Sequence, residues 1–255
     1  MRIVLNEKRL KRYLSIAKWA SLGGLILFFG GMYLTFGAEQ NPAWAPWAFA
    51  ALLLGFLITQ VGIYYGNRYG RMPRVDQLIN RALKGVSREY TMYHYVAPAS
   101  HVLVGPAGIW VIIPKYQRGK ISYRKGRWRQ SGGPLLWYLR IFSQEGLGRP
   151  DLEIQDETQA VVKVLQEIYE DEAQMPPVEP ILVFTSPKAE LVDVEDAPVP
   201  TMKVEDLKAY LKPKLKRRVL KPAEVKRICE ALERAGGYEP DGASTPTKKG
   251  KNRAS

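Results

Sequence analysis

Residues 97–120 read APASHVLVGPAGIWVIIPKYQRGK, and they decide the fold. His101-Val102-Leu103-Val104 is a short apolar, β-branched run. Gly105-Pro106-Ala107-Gly108 carries turn chemistry, with Pro at the second position and Gly at the fourth. Ile109-Trp110-Val111-Ile112-Ile113 is apolar without alternation. A strand with one wet face would alternate, so this run predicts a strand covered on both faces. The stretch is therefore read as a hairpin in the middle of the sheet of an α/β domain.

Working outward, the flanking segments supply the remaining layers. Upstream, Val75 to Leu83 has apolar residues at helical spacing, and Gly85 follows as a stop. Tyr90 to Val96 (YTMYHYV) reads as an aromatic strand. Downstream, Lys120 to Tyr123 reads as a strand, Lys125-Gly126 as a turn and Arg127 to Arg129 as a further strand. Asp151 to Tyr169 is a helix, with Ile154, Val161, Leu165 and Ile168 on one face and acids at its positive end. Ile181-Leu182-Val183-Phe184 is another unalternating strand, and a short one falls near Val199 to Met202. A helix near Val204 to Leu215 is interrupted by Pro213, and a last helix starts at Pro222 with Val225, Ile228, Cys229 and Leu232 on one face. Leu135 to Phe142 (LLWYLRIF) is very apolar for a loop. It is read as an insertion packed on the domain, with an interfacial membrane segment as the alternative.

Upstream of this domain lie two uncharged runs. No charge falls between Lys18 and Glu39, or between Glu39 and Arg68. Trp19–Ala38 and Trp44–Tyr65 each have the length a membrane-spanning helix needs. Trp19, Trp44, Trp47, Tyr64 and Tyr65 lie near the ends, as interfacial aromatics do. Arg2, Lys8, Arg9, Lys11, Arg12 and Lys18 precede the first run, and Arg68, Arg71 and Arg74 follow the second. The link 39–43 has neither Lys nor Arg, which predicts both ends in the cytoplasm. Gly23-Gly24, Gly30-Gly31 and Gly55 are small enough for the two helices to pack closely. The expected organisation is a basic cytoplasmic N-terminus (1–18), a transmembrane helical hairpin (19–66), a cytoplasmic α/β domain (71–235) and a disordered basic tail (236–255).

Composition narrows the chemistry. The 255 residues carry a formal net charge of +13, which favours an anionic partner. The one cysteine, Cys229, excludes a disulfide within the chain and is read as a packing residue. Neither GxGxxG nor GxxxxGK[ST] occurs, and no Cys/His cluster has zinc spacing. His94 and His101 come without a nucleophile motif and are read as packed or hydrogen-bonded side chains.

The order of elements, with particular motifs, resembles the nuclease-related domain (NERD) family, placed with the restriction-endonuclease-like fold. Asp76 stands at the position of the family's helix acid, with Ile79 and Leu83 at its apolar positions. His101 to Gly108 matches the strand and Gly-Pro-x-Gly turn; Gly119, Trp128 and Val183-Phe184-Thr185 match later motifs. The resemblance implies a restriction-endonuclease-like mixed sheet flanked by helices, here preceded by a two-helix transmembrane hairpin. It also implies a metal site, and at that site the chain departs from the family. The family's metal-binding Asp falls on Ser100 and its Glu on Ile113, leaving only Lys115 of the Glu-x-Lys pair. Hard cations need oxygen ligands, and Ile113 offers none. The site residues so implied, Asp76, Ser100, Ile113 and Lys115, are thus degenerate, and Asp76 and Lys115 are expected as an ion pair or as solvated charges.

The expected function is binding or scaffolding by a membrane-anchored pseudoenzyme, without cofactor. The alternative is an active nuclease using Mg²⁺ with migrated carboxylates such as Glu145 or Glu153. Two basic groups stand out as polyanion-binding residues: Arg118, Lys120, Arg124 and Arg127 around the late strands, and Lys214, Lys216, Arg217 and Arg218 near the C-terminal helices. Nucleic acid and anionic lipid headgroups both fit such charge, beside the lipid bilayer itself as the partner of the two spans.

Overall fold

Apolar strands covered on both faces need two layers around them, and the chain supplies both. The computed structural model describes residues 1–134, 138 and 146–238. Nine strands occur among them: β1 (Arg2–Leu5), β2 (Thr91–His94), β3 (His101–Gly105), β4 (Gly108–Lys115), β5 (Gly119–Arg124), β6 (Arg127–Ser131), β7 (Val178–Phe184), β8 (Ala189–Leu191) and β9 (Thr201–Lys203). The α-helices are α1 (Glu7–Ala38), α2 (Ala45–Tyr65), α3 (Val75–Ala82), α4 (Pro150–Gln166), α5 (Leu207–Lys214) and α6 (Pro222–Ala235).

The main sheet has the order β1-β2-β3-β4-β7-β9, and β3 runs against the other five. Side chains alternate along β4, so Ile109, Val111 and Ile113 face one layer while Trp110 and Ile112 face the other. The first layer is α4 and α6, through Ile154, Val161, Leu165, Ile228 and Leu232. The second is α3 and α5, through Ile79, Leu83, Leu207 and Leu211. The hairpin of residues 101–113 is therefore mid-sheet, and its lack of alternation is explained by helices on both sides.

A second sheet, β6-β5-β8, is attached at the C-terminal edge of the first. β4 leads into β5 and β7 into β8, and both β4–β7 and β5–β8 are parallel pairs. β5 and β6 are joined by Lys125-Gly126, both at positive φ (52° and 72°), the conformation of a two-residue hairpin turn.

The segment 1–18, expected as a basic N-terminus, contributes a strand and three turns of helix. β1 pairs in parallel with β2, Arg2 opposite Thr91 and Leu5 opposite His94, before Asn6 caps α1. α1 and α2 then pack as an antiparallel pair, each long and apolar enough to cross a membrane. Their inward residues are small and recur every seven positions: Ala17, Gly24 and Gly31 against Ala48, Gly55 and Gly62. A Cβ added to Gly55 would lie 2.7 Å from Phe28 N and 2.9 Å from Gly24 O, so the backbones touch. Gly23 and Gly30, equally available in the sequence, face open space. The large apolar side chains, among them Trp19, Phe29, Tyr33, Trp47 and Phe49, point away from the protein.

The segment 135–142 lies outside the described residues except for Tyr138, which is exposed. In the tail 236–255, the residues from 239 onward also lie outside them.

Candidate functional site

The five parallel strands direct their C-terminal ends to one edge of the sheet, and α1 and α2 join the domain at that edge. The joint is largely aromatic. Tyr13 of α1 stacks on Tyr69, with centroids 4.5 Å apart, and Tyr69 meets Tyr95, which meets His101. Tyr95 adopts a left-handed conformation at φ 59°, unusual for an aromatic residue, and Arg9 donates to its carbonyl at 3.5 Å. Arg71 lies over the ring of Tyr116 at 4.0 Å.

A cavity of about 180 Å³ opens there. Its walls come from β3 (Ser100 just before it, His101), the end of β4 (Ile113, Lys115), the start of α4 (Glu153, Glu157) and the turn after α2 (Arg68). Three of the four positions that the resemblance implied are thus brought together. Ser100, Ile113 and Lys115 line one cavity, and Ile113 is 1% exposed.

Asp76 is not among the lining residues. It is buried on α3 and forked by Arg74, with Nε to Oδ1 at 3.0 Å and Nη2 to Oδ2 at 2.8 Å. Lys115 instead donates to Glu153 Oε1 at 2.5 Å and to the Leu147 carbonyl at 3.4 Å. The expected Asp76–Lys115 pair is corrected accordingly: each has its own partner, and both are too buried to be solvated. Opposite faces of the sheet explain this, since α3 and α4 lie on different layers.

The centre of the cavity is a charge network that the sequence reading did not reveal. Glu157 accepts from the Ser100 hydroxyl at 2.9 Å and the Ser100 amide at 3.1 Å. Arg68 donates to Glu157 Oε1 and to Ser100 Oγ, both at 3.2 Å. Burial raises the Glu157 pKa, opposed by Arg68 and the Ser100 hydrogen bonds. Burial lowers that of Lys115, opposed by Glu153. Glu157 had one sequence signal: it lies three residues after Ile154 and four before Val161, a carboxylate on the apolar stripe of its helix. Arg68 had one too, as the first charge after the second uncharged run.

Both histidines are buried beside this network. His94 Nε2 donates to Asn80 Oδ1 at 3.0 Å, so its Nδ1 accepts from His101 Nδ1, 2.8 Å away. Burial favours the neutral form of each ring, holding His94 down to about 4 and His101 well below its ordinary value. They act as packed, hydrogen-bonded side chains.

A magnesium-type ion does not fit this arrangement. At the two positions where the resemblance implies carboxylates the cavity presents Ser100 and Ile113, and its own carboxylates are engaged, Glu157 by Arg68 and Ser100 and Glu153 by Lys115. Among the described residues, no group of three or more His, Cys, Asp and Glu side chains is placed to hold a metal. Glu145, named as a migrated ligand, lies outside the described residues; Glu153 is at the cavity but engaged by Lys115.

The two basic groups separate to opposite edges of the sheet. Lys214 pairs with Glu179 at 2.5 Å and Arg218 forks Glu89 at 3.0 and 3.1 Å, while Lys216 and Arg217 are exposed. The Val219 and Leu220 amides bond the Pro106 carbonyl, placing this group at the β3–β4 turn. Lys120, Arg124 and Arg127 lie on the β5–β6 hairpin at the other edge, the edge of α1 and α2; Arg124 pairs with Asp193. Arg118 precedes β5, and its carbonyl accepts from Gln130 Nε2 at 2.9 Å.

Comparison with protein-family models, with curated proteins and with solved structures finds no match to this chain.

Proposed function

We propose that this chain is a membrane-anchored, cytoplasmic NERD-like domain of restriction-endonuclease-like fold that binds a polyanion and does not cut it. The observation that carries the reading is the Arg68–Ser100–Glu157 network. A nuclease of this type needs carboxylate oxygens free for a cation, and here the acid at the site is bound to a guanidinium and a hydroxyl. Lys115 retains a charge suited to phosphate but is held by Glu153.

The topology is supported by β1. It hydrogen-bonds to β2 across the two helices, so the segment before α1 and the domain after α2 share one side of the bilayer. The Lys/Arg bias of the flanks makes that side cytoplasmic. A reporter fused after Ser255 is then active only if it is a cytoplasmic type, and a signal from an exported reporter overturns the topology.

The catalytic half is tested with full-length protein in lipid nanodiscs. Single- and double-stranded DNA and RNA are incubated with Mg²⁺ or Mn²⁺. The expected result is no turnover above that of the Lys115→Ala variant. Glu153 at the cavity favours one rival reading, a nuclease with migrated ligands. Cleavage abolished by chelator, by Glu153→Gln and by Lys115→Ala establishes the rival and removes the proposal.

A further inference from the structure

The two basic groups have so far been equivalent candidates for a polyanion, and their placement makes them different. We infer that the outer face of the β5–β6 hairpin docks on the anionic headgroups of the membrane in which α1 and α2 sit, while the group around Lys216 and Arg217 does not. The inference rests on the membrane-anchored, polyanion-binding reading above.

Register puts the charges of the hairpin on one face. Lys120 pairs with Ser131, Ser122 with Arg129 and Arg124 with Arg127, so Lys120, Arg124, Arg127 and Arg129 project to the same side. Those four are exposed, whereas of the alternate positions Ile121 is buried and Tyr123, Trp128 and Gln130 are half-buried. Lys125 adds a fifth cation at the turn. Two acids face them, Glu190 on β8 beside Lys120 and Asp193 against Arg124, leaving a net positive face.

Distance then selects the partner. The charged start of α1, from Glu7 to Lys18, spans about 18 Å at 1.5 Å per residue, which sets how far the sheet edge stands from lipid. β5 begins at Gly119, four residues after Lys115, and is six residues long, about 20 Å of strand. It starts at the edge that α1 and α2 join, the side of the sheet nearer to lipid. Lys216 and Arg217 sit at the opposite edge, farther by the length of the eight-residue β4, about 25 Å. Their distance from lipid is therefore several times the Debye length of about 8 Å at physiological salt. Attraction by an anionic leaflet acts on the hairpin and is screened at the far group. Nucleic acid free in solution reaches both groups alike.

The test compares full-length protein in nanodiscs of phosphatidylcholine with nanodiscs containing one-third phosphatidylglycerol, by amide hydrogen exchange. The proposal expects amides of residues 119–131 to exchange about fivefold or more slowly over the anionic lipid, the factor matching one basic residue near such a surface. Raising the salt to about 0.5 M removes the difference. The combined change Lys120→Gln, Arg124→Gln, Arg127→Gln and Arg129→Gln abolishes it, and Lys216→Gln with Arg217→Gln leaves it intact. Unchanged protection of β2, β3, β4 and β7 verifies that each variant is folded. Equal exchange over the two lipids overturns the inference. If added DNA or RNA then protects the hairpin in neutral nanodiscs, the polyanion reading stands with nucleic acid as its partner; if neither protects, that reading falls too.

Discussion

The paired helices and the mixed sheet are packed by opposite rules. In the sheet the largest side chains are inside: Trp110, Tyr90, Tyr93 and Phe184 are buried, and helices close over them. In the α1–α2 pair the inside is Ala and Gly, and Trp, Phe and Tyr are outside. Water explains the first arrangement, because apolar area removed from it is stabilising. The second arrangement suits a lipid solvent, in which apolar area gains nothing by turning inward and close backbone contact becomes the attraction. One chain thus carries two cores packed by two rules, joined by Arg68 and a tyrosine stack.

The comparison is broken most directly by tryptophan. Trp110→Ala removes a fully buried ring and its hydrogen bond to Glu179, and should cost about 3–5 kcal/mol. Trp47→Ala, at a residue 72% exposed in the protein, should change folded stability by less than about 0.5 kcal/mol. Thermal unfolding of full-length protein in detergent micelles measures both; similar losses would mean that the helices do not present their aromatics outward.

Glycine gives the reverse contrast. Gly55→Leu forces apart two touching backbones and should cost about 1–3 kcal/mol or more. Gly30→Leu meets open space and should be close to neutral. Spin labels on α1 and α2 report the separation, which should grow in the first variant only.

The joint between the cores is next. Arg68→Ala leaves Glu157 buried beside Ser100 with its strongest partner gone. A loss of about 2 kcal/mol is expected, between the values for buried and exposed pairs, because Arg68 is partly solvated. Adding Glu157→Gln should recover most of that loss. A double variant no better than Arg68→Ala would show that Arg68 acts through packing and not through charge.

The most gradual effect is a pH slope. Between about pH 6.5 and 4 the unfolded chain takes up a proton at His94 that the folded chain refuses. Stability therefore falls with falling pH in that window, by about 1 kcal/mol per pH unit for this histidine. Glu157, with its pKa raised, contributes with the opposite sign. The comparison is accordingly between wild type and His94→Gln, whose melting temperature should depend less on pH over this range. Equal slopes would assign the acid response elsewhere.

Local pattern was enough for much of this protein. The uncharged runs 19–38 and 44–65, the unalternating strands at 101–113 and 181–184, the Lys125-Gly126 turn and the apolar stripe of α4 are each written within a few consecutive turns or residues. Their signals come from periodicity and from solvent, which act on neighbours in the chain. Tertiary structure decided what those elements do to one another. Arg2–Leu5 is too short to be read as a strand until β2, about ninety residues away, offers its edge. Gly23 and Gly24 are indistinguishable until a partner helix covers one of them. Asp76 and Lys115 were natural partners by motif, yet the sheet lies between them and each found a nearer counter-charge. Arg68 and Glu157 became a site only when the exit of α2 met the start of α4 over Ser100. The reason is common to all of these. A hydrogen bond or ion pair acts over about 3 Å of space, and sequence spacing does not report which distant residues will stand that close.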